Sequence, residues 1–259
     1  MISDMHVHSW YSSDSQVPAE DQIRRALGLG MSHIAMTDHQ DYDFPPGQLT
    51  YLLLDTGDTE SYLEGIGKLK EKYAGRIEVL LGLELGLQPH LGEMLDRYVR
   101  SYPFDFIIGS THCFGGRDTE DPSLYEDRSE EDACRDYFVT ELENLRATDA
   151  YDVAGHLDFI LRDLPTRNRN FSYEKYADVL DEILRTLIAK GKGLECNSKS
   201  LYIGMGQPGP DTSILRRYRE LGGEILTFGS DAHRSDRIGM AFDRAAAIAK
   251  NCGFHYYCV

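Results

Sequence analysis

The sequence predicts an α/β fold in which parallel strands form a closed or nearly closed (β/α) barrel, within a single domain. Three observations support this prediction. Short apolar runs alternate with helix-like segments, which implies parallel strands joined by right-handed crossovers. Seven such units occur in 259 residues. No linker-like stretch separates them. An open, doubly wound sheet is the alternative architecture for the same alternation.

The predicted elements follow one another in a regular order. The seven strands are Ile2–Val7, His33–Thr37, Ile77–Leu85, Phe104–Thr111, Tyr151–Gly155, Gly193–Cys196 and Glu224–Phe228. The seven helices are Ala19–Leu29, Thr59–Tyr73, Gly92–Ser101, Ser129–Thr148, Ser172–Lys190, Thr212–Leu221 and Gly239–Asn251. Ser129 precedes a run of acidic residues, as an N-cap does, and Gly191 follows the fifth helix at a typical helix end. Two insertions, Gln40–Asp58 and Cys113–Asp127, follow the second and fourth strands.

Composition excludes several classes of partner. The net charge of −16 argues against binding to nucleic acid polymers or to an anionic membrane surface. No apolar run is long enough to span a membrane, and the first residues lack the basic start and apolar stretch of a signal peptide. The five cysteines are odd in number and show no C-x-x-C spacing. Reduced thiols in a cytoplasmic protein are the simplest interpretation.

Histidines and carboxylates recur at the carboxyl ends of the predicted strands, where a (β/α) barrel carries its chemistry. His6 and His8 leave the first strand two residues apart, a spacing that directs both side chains to one side of a strand. Six of the nine histidines lie at such strand ends. The residues concerned are His6, His8, His39, Glu84, His112, His156, Asp231 and His233.

Each of these residues also has a purely structural interpretation. The histidines after the second, fourth and fifth strands could be buried donors to a carbonyl group. Asp231 and His233 could be turn and helix-start residues, and Asp14 could cap a turn. Glu84 is harder to explain in this way, because both faces of its strand are apolar and a buried carboxylate is costly unless it is paired or metal-bound. Asp38 is predicted to orient a neighbouring histidine.

The set of side chains predicts a cluster of metals. Imidazoles and carboxylates without thiolates suit zinc, manganese or iron. Asp14 together with the residues at the strand ends makes nine candidate ligands, which at about three to four per ion predicts two or three divalent metals. Such clusters hold the phosphoryl oxygens of an in-line displacement and lower the pKa of a bridging water, so that hydroxide attacks phosphorus.

In combination, these motifs resemble the PHP (polymerase and histidinol phosphatase) family, in the family's order and over nearly the whole chain. The motifs are H-V-H at His6 and His8, Asp14, T-D-H at His39, the strand residue Glu84, S-T-H at His112, G-H-L-D at His156 and S-D-A-H at Asp231 and His233. The resemblance implies a distorted seven-stranded (β/α)7 barrel that holds a trinuclear centre. It also implies that residues 1–259 form one metal-dependent phosphoesterase domain.

The resemblance further implies how the ligands are shared among three metals. The first metal is assigned to His6, His8, Glu84 and Asp231. The second is assigned to His112 and His156, with Glu84 as a bridge. The third is assigned to Asp14, His39 and His233. On this basis Glu84, Asp231 and His233 are predicted to take part directly in catalysis.

An aspartate at position 14 resembles the histidinol-phosphate phosphatase branch of the family, and so does an arginine shortly after H-L-D, here Arg162. The branch also has an E-x-N-T-x-G-x-R segment after the sixth strand. Asn197 agrees with it, but Tyr202 occupies the position of the arginine and Lys199 is the nearby cation. Arg117, in the second insertion, is a further candidate. Five side chains are therefore predicted to contact the substrate or its phosphate: Arg162, Lys199, Asn197, Tyr202 and Arg117.

The sequence therefore predicts a phosphomonoesterase that converts L-histidinol phosphate into L-histidinol and phosphate in histidine biosynthesis, by attack of metal-bridging hydroxide. A phosphoesterase for nucleotides or another small phosphorylated metabolite is the alternative within the same fold. A metal-storing or partner-binding module on a degenerate barrel is the non-enzymatic alternative. The completeness of the ligand set argues against the last of these, because none of the nine positions is empty.

Overall fold

Seven parallel strands form a nearly closed barrel in a computed structural model that describes residues 3–45, 59–126 and 128–259. In spatial order the strands are β1 (Asp4–Val7), β2 (His33–Met36), β4 (Glu78–Gly86), β5 (Phe106–Ser110), β8 (Val153–Ala154), β9 (Gly193–Asn197) and β10 (Leu226–Gly229). A short strand, β3 (His39–Gln40), also pairs with β4. The parallel (β/α)7 barrel is confirmed, and the open doubly wound sheet is wrong.

Helices follow the strands as the sequence predicts. They are α1 (Ala19–Gly28), α2 (Thr59–Tyr73), α3 (Gly92–Arg100), α4 (Glu130–Ala147), α5 (Ala177–Ala189), α6 (Lys199–Tyr202), α7 (Thr212–Glu220) and α8 (Phe242–Asn251). Helix α4 has the predicted cap, since the Ser129 hydroxyl accepts from the amide of Asp132. Helix α5 begins at Ala177 rather than Ser172, because a separate helical turn occupies Tyr173–Lys175.

Two differences concern short elements. The one-turn helix α6 was not predicted, because four residues are too few to show a helical period. The second insertion forms an antiparallel pair, β6 (Cys113–Phe114) and β7 (Arg117–Asp118). Ile2, residues 46–58 of the first insertion and residue 127 lie outside the described residues.

The two faces of each barrel strand pack against different surroundings. Val79, Leu81, Leu83 and Leu85 of β4 belong to the large core that the strands share with the helices. The opposite face of β4 begins with Leu80, which packs on a smaller buried cluster. That cluster consists of Met5, Ala35, Phe106, Ile108 and Val153. By alternation the same face continues towards the carboxyl end of β4, where polar groups replace apolar ones.

Contacts between β1 and the segment after β10 close the barrel. Val7 forms a parallel bridge with Ala232, and the His8 amide donates to the Ala232 carbonyl over 3.0 Å. The buried carboxylate of Asp4 accepts from the amide of Ser230 over 2.9 Å. These bonds fix the end of β1 beside the segment that carries Asp231. Among the described residues, no helix combines the length and apolar character needed to cross a membrane.

Candidate metal centre

Glu84 lies at the centre of the site, on the inner face of β4, and is 1% exposed. Three imidazole nitrogens surround its Oε2 atom. His6 Nε2 lies at 3.0 Å, His39 Nδ1 at 3.1 Å and His8 Nε2 at 3.3 Å. The register places His39 directly opposite Glu84, because β3 pairs in parallel with the end of β4. The strand-end spacing thus brings three predicted ligands to one oxygen.

The second oxygen of Glu84 has its own group of neighbours. Oε1 lies 2.7 Å from His156 Nε2 and 3.2 Å from His112 Nε2, and it accepts from the Ser110 hydroxyl over 2.8 Å. Burial alone would raise the pKa of Glu84, but the nearby His6 and other imidazoles hold it well below its ordinary value. Glu84 is therefore an ionised, buried carboxylate that faces two separate sets of histidines.

Asp231 forms the next part of the site, just after β10. Its backbone adopts a positive φ of 53°, a conformation that is uncommon for residues other than glycine and often found at functional sites. Its Oδ1 lies 3.6 Å from His8 Nε2 and 2.9 Å from Lys199 Nζ, and its Oδ2 lies 3.0 Å from Arg162 Nη1. Burial opposes ionisation of Asp231, but Lys199, His6 and Arg162 hold its pKa well below the ordinary value.

Asp14 and His233 occupy the more open side of the cluster. Asp14 Oδ2 lies 2.7 Å from His233 Nε2 and 3.6 Å from His39 Nε2. The rings of His8 and His233 stack with their centroids 4.0 Å apart. The side chains of Asp14 and His233 are 22% and 18% exposed, whereas those of His8 and Glu84 are buried. The structure thus brings all nine predicted ligands together, and solvent reaches them at Asp14 and His233.

Within the described ranges, four triplets of residues each offer ligand atoms that lie within 4.8 Å of one another. They are His6–His8–Asp231, His6–Glu84–His156, His39–Glu84–His112 and His8–His39–His233. The first agrees with the ligand set that the family resemblance assigns to one metal. The others overlap with the remaining two sets but group His39 with Glu84 and His112 as well as with His233.

Two carboxylates that were absent from the predicted site orient the histidines. Glu195 Oε1 lies 2.7 Å from His6 Nδ1, and Asp41 Oδ1 lies 2.8 Å from His112 Nδ1. Each carboxylate accepts a hydrogen bond from Nδ1–H, so the Nε2 atom of the neutral ring directs its lone pair at Glu84. Glu195 interrupts the inner face of an apolar strand, as Glu84 does. That pattern is a sequence signal that identifies it.

Glycines make room for these two carboxylates. A Cβ atom at Gly229 would lie 2.1 Å from Glu195 Oε1, and one at Gly86 would lie 1.9 Å from Asp41 Oδ1. Contacts this short do not occur between real atoms, so any side chain at either glycine would displace the carboxylate. The positions of Glu195 and Asp41 are therefore built into the neighbouring strands.

His8 is oriented by a hydroxyl instead. Ser12 Oγ donates its single proton to Asp38 Oδ1 over 2.7 Å, so it accepts from His8 Nδ1 at 3.2 Å. Asp38 also accepts from the Ser9 amide over 2.6 Å. Asp38 thus acts on a ligand histidine through Ser12, which agrees with its predicted orienting role.

These orientations test whether the site fits a metal. In their neutral forms His6, His8 and His112 direct Nε2 lone pairs at the carboxylate of Glu84, and acceptors that face each other repel unless a cation, either a proton or a metal ion, lies between them. The Nε2 atoms of His6 and His8 and the Oε2 atom of Glu84 are buried and have no hydrogen-bond partner within the described ranges. Burial opposes a positive charge on His6, yet Glu84 and Glu195 raise its pKa well above the ordinary value. The site therefore favours cations and fits transition metals.

The predicted substrate contacts lie beside Asp231, with one exception. Arg162 is only 7% exposed; its Nη2 donates to Asn197 Oδ1 over 2.9 Å, and its guanidinium lies 4.9 Å from the centre of the Phe159 ring. Arg117, on the hairpin, instead donates to Ser123 Oγ over 2.8 Å. In the described part of the chain, no hydrogen bond or ion pair joins Arg117 to a predicted ligand.

A cavity of about 420 Å³ opens beside Asp231 and His233. Its wall also includes Lys199, Tyr202, Ile203, Arg234 and Arg237. The Tyr202 hydroxyl donates to the carbonyl of Ser230 over 2.9 Å, so its proton is already used within the protein. Arg234, directly after the S-D-A-H motif, and Arg237, three residues further on, were not among the predicted substrate contacts.

A buried polar group supports the end of β5 from behind. Glu141 of α4 is 1% exposed. Burial raises its pKa to about 8, although a hydrogen bond from Thr111 acts in the opposite direction and lowers it. Asn144 Nδ2 also donates to Thr111 Oγ1 over 2.7 Å. Because Thr111 precedes His112, α4 contributes to the position of that histidine.

Glu141→Gln should make stability less dependent on pH. The folded protein retains the Glu141 proton between about pH 4.5 and about pH 8, where the unfolded chain releases it. The free energy of unfolding therefore falls as pH rises through this window, by at most ~1.4 kcal/mol per pH unit. The variant should gain stability relative to the wild type from about pH 5 to about pH 8. Urea unfolding at both pH values and equal metal loading measures the gain; an unchanged difference between the proteins contradicts the prediction.

Comparison with known proteins relates this geometry to a family. The PHP domain model matches residues 4–199. The histidinol-phosphatase of Lactococcus lactis subsp. lactis is 29% identical over 97% of this chain and 91% of its own length. A probable histidinol-phosphatase of Clostridium acetobutylicum is 30% identical over 97% of this chain and 94% of its own. The crystal structure of the L. lactis histidinol phosphate phosphatase, complexed with zinc, L-histidinol and phosphate, superposes with a TM-score of 0.88 at 28% identity, covering 98% of this chain and 94% of that one.

Proposed function

The chain belongs to the PHP domain family, and we propose that it is a metal-dependent phosphomonoesterase that hydrolyses L-histidinol phosphate to L-histidinol and phosphate. One observation carries the chemistry: both oxygens of the buried Glu84 face imidazole nitrogens at 2.7 to 3.3 Å, several with fixed tautomers. The choice of substrate is supported by relatives named histidinol-phosphatase and by the structure that contains L-histidinol and phosphate. We propose that the reaction serves histidine biosynthesis. We also propose that the protein is located in the cytoplasm.

We propose that the site binds two or three divalent metal ions, which are zinc, manganese or iron. The residues that would hold them are His6, His8, Asp14, His39, Glu84, His112, His156, Asp231 and His233. Such ions polarise phosphoryl oxygens and lower the pKa of a water molecule to near neutrality. Zinc is bound in the L. lactis structure, which supports it as one of the candidates. The imidazole and carboxylate donors suit all three metals.

The side chains around the metals have distinct roles in this proposal. Glu195 and Asp41 keep the Nδ1 protons of their histidines, so that the Nε2 atoms remain free to act as ligands. Arg162 and Lys199 neutralise Asp231 and present positive charge beside it, where a phosphate dianion requires it. Asn197 holds the Arg162 guanidinium in place. The cavity beside Asp231 is the proposed entry for the small phosphorylated substrate.

The proposed phosphoesterase domain spans residues 1–259, beyond the 4–199 matched by the family model. The segment after residue 199 supplies Asp231 and His233, and it also supplies β10, which completes the barrel. A site limited to the matched residues would lack two of the nine proposed ligands. The remainder of the chain is therefore part of the same functional unit.

Metal analysis should find two or three transition metals per active chain. A chelator should remove metal and activity together, because Glu84 and the histidines around it are shared among neighbouring metals. Elemental analysis combined with assays after stepwise removal and restoration of zinc, manganese or iron measures this relation. One metal or none in fully active protein would contradict a multinuclear centre.

Substrate preference provides the test of the proposed function. We expect kcat/KM for L-histidinol phosphate to exceed that for a generic aryl phosphate by orders of magnitude, because binding of the remote ammonium and imidazole groups is used in the transition state. Initial rates should be compared for L-histidinol phosphate, nucleoside monophosphates, phosphoserine and 4-nitrophenyl phosphate. A flat profile, or a preference for a nucleotide, would reject the histidinol assignment and favour the alternative phosphoesterase.

A further inference from the structure

The cavity beside Asp231 and His233 carries an excess of positive charge. Lys199, Arg234 and Arg237 line it, and Asp231 is the carboxylate on its wall. This charge is notable because the whole chain carries −16 and would repel a phosphate dianion. A local group of cations therefore has to attract and hold the phosphate before it reaches the metal ligands.

The cations nearest to Asp231 already bind protein groups. Lys199 Nζ lies 2.9 Å from Asp231 Oδ1. All three nitrogen positions of Arg162 are engaged, with Asp231, Asn197 and Ser200 as the acceptors. These two residues balance the charge of Asp231, which limits what they can donate to an incoming phosphate.

Arg237 differs from both. Its guanidinium carbon lies 5.4 Å from the centre of the Tyr202 ring, within the range of a cation–π contact. The ring is itself fixed, because the Tyr202 hydroxyl donates to the Ser230 carbonyl. Nη1 of Arg237 contacts the sulfur of Met240 over 3.1 Å, and Nε lies 3.8 Å from a carboxylate oxygen of Asp236. Among the described residues, none accepts a hydrogen bond from Nη2.

Arg234 is less suited to the same role. Its side chain is 74% exposed, compared with 39% for Arg237, and its Nε donates to Asp236 over 3.0 Å. An exposed arginine loses more conformational entropy when it binds and is better screened by water. Arg237 lines the cavity, rests on the Tyr202 ring, and has an Nη2 group that donates to none of the described residues.

We propose that Arg237, supported by the ring of Tyr202, binds the phosphate group of the substrate in this cavity. A planar guanidinium matches two phosphate oxygens, which a lysine cannot do. Tyr202 is then a positioning residue, whose ring supports Arg237 while its hydroxyl binds the main chain. The role of Arg237 rests on the proposed function in one respect: it assumes that the substrate is a phosphomonoester.

The test compares Arg237→Ala with Arg237→Lys, Arg234→Ala and, as a matched control, Arg244→Ala. Arg244 is an exposed arginine of α8 that does not line the cavity. Isothermal titration of the metal-loaded proteins with inorganic phosphate gives the affinity directly, and elemental analysis confirms equal metal content. We expect Arg237→Ala to weaken phosphate binding about tenfold, as for loss of one partly exposed charge-assisted contact. Arg237→Lys should weaken it less, Arg234→Ala should have a smaller effect, and Arg244→Ala should have none.

Kinetics with two substrates separate this proposal from the proposed function. Arg237→Ala should raise KM by a similar factor for L-histidinol phosphate and 4-nitrophenyl phosphate, because both carry the same phosphate group. That common factor supports the role of Arg237 even if the wild type shows no preference for L-histidinol phosphate. Unchanged phosphate affinity in Arg237→Ala, or a loss explained by lower metal content, would overturn the proposal.

Two variants of Tyr202 test its supporting role. Tyr202→Leu removes the ring and should weaken phosphate binding as much as Arg237→Ala does, whereas Tyr202→Phe keeps the ring and should cost less. Combining Tyr202→Leu with Arg237→Ala should add little further loss, since both changes remove the same contact. A loss in Tyr202→Phe equal to that in Arg237→Ala, or fully additive losses in the double variant, would show that Tyr202 acts independently of Arg237.

Discussion

Glu84→Gln should lower kcat/KM about a thousandfold or more while the protein remains folded. Both oxygens of Glu84 face imidazole nitrogens, so a single amide replaces a carboxylate that serves two sets of ligands at once. The amide also carries no negative charge to balance a cation. A thousandfold loss corresponds to about 4 kcal/mol of transition-state stabilisation, which is within the range for a group at a catalytic metal.

The measurement combines steady-state kinetics with elemental analysis and circular dichroism. Glu143→Gln is the matched control, because Glu143 lies exposed on α4 and undergoes the same chemical change. The control should retain wild-type activity and metal content. Near-wild-type turnover in metal-replete Glu84→Gln would mean that Glu84 is only a buried strand residue.

Arg162→Ala should produce the second largest loss. Its guanidinium binds Asp231 Oδ2 at 3.0 Å and Asn197 Oδ1 at 2.9 Å in a buried environment. Removal takes away positive charge beside the phosphate and leaves Asp231 without one of its partners. We expect a loss of about 1.5–3 kcal/mol or more, or roughly 10- to 150-fold in kcat/KM for phosphomonoesters.

Lys199→Ala provides the internal comparison. The Lys199 ammonium also contacts Asp231, at 2.9 Å, but its side chain is 29% exposed and water can replace it more easily. The loss in Lys199→Ala should therefore be smaller than that in Arg162→Ala. Rates for each variant with several phosphomonoesters test the order. A greater loss in Lys199→Ala would mean that the lysine, rather than Arg162, supplies most of the positive charge beside Asp231.

Much of the site follows from strand periodicity. Parallel strands end at one face of a barrel, so residues such as His112 and His156 could be placed together from their positions after apolar runs. The regular-strand argument for His6 and His8 was only approximate. Asp4 pairs with Ile34 and Val7 with Met36, so three steps along β1 match two along β2. Both histidines nevertheless reach Glu84 Oε2.

The orienting groups depend on contacts between distant strands, which periodicity does not encode. Glu195 meets His6 from a strand 189 residues away in sequence, and Asp41 meets His112 across 71 residues. The space for each carboxylate comes from a glycine on yet another strand. Arg237 was missed for a related reason, since its support by Tyr202 joins helix α6 to the helical turn Ser235–Arg237. The metal ligands could thus be predicted from sequence motifs. The groups that orient the ligands, and the ring that supports Arg237, became apparent only in the folded structure.

The closure of the barrel between Val7 and Ala232 also determines when the metal centre can form during synthesis. Asp4 and Ser230, which fix this closure, are 226 residues apart in sequence. Translation delivers His6 and His8 well before Asp231 and His233, because nearly the whole set of barrel strands lies between the two pairs in sequence. Bringing such distant segments together carries a large loop-closure entropy. A nascent chain that lacks β10 and the segment after it therefore holds an incomplete ligand set, and the complete centre cannot assemble until that segment has been synthesised.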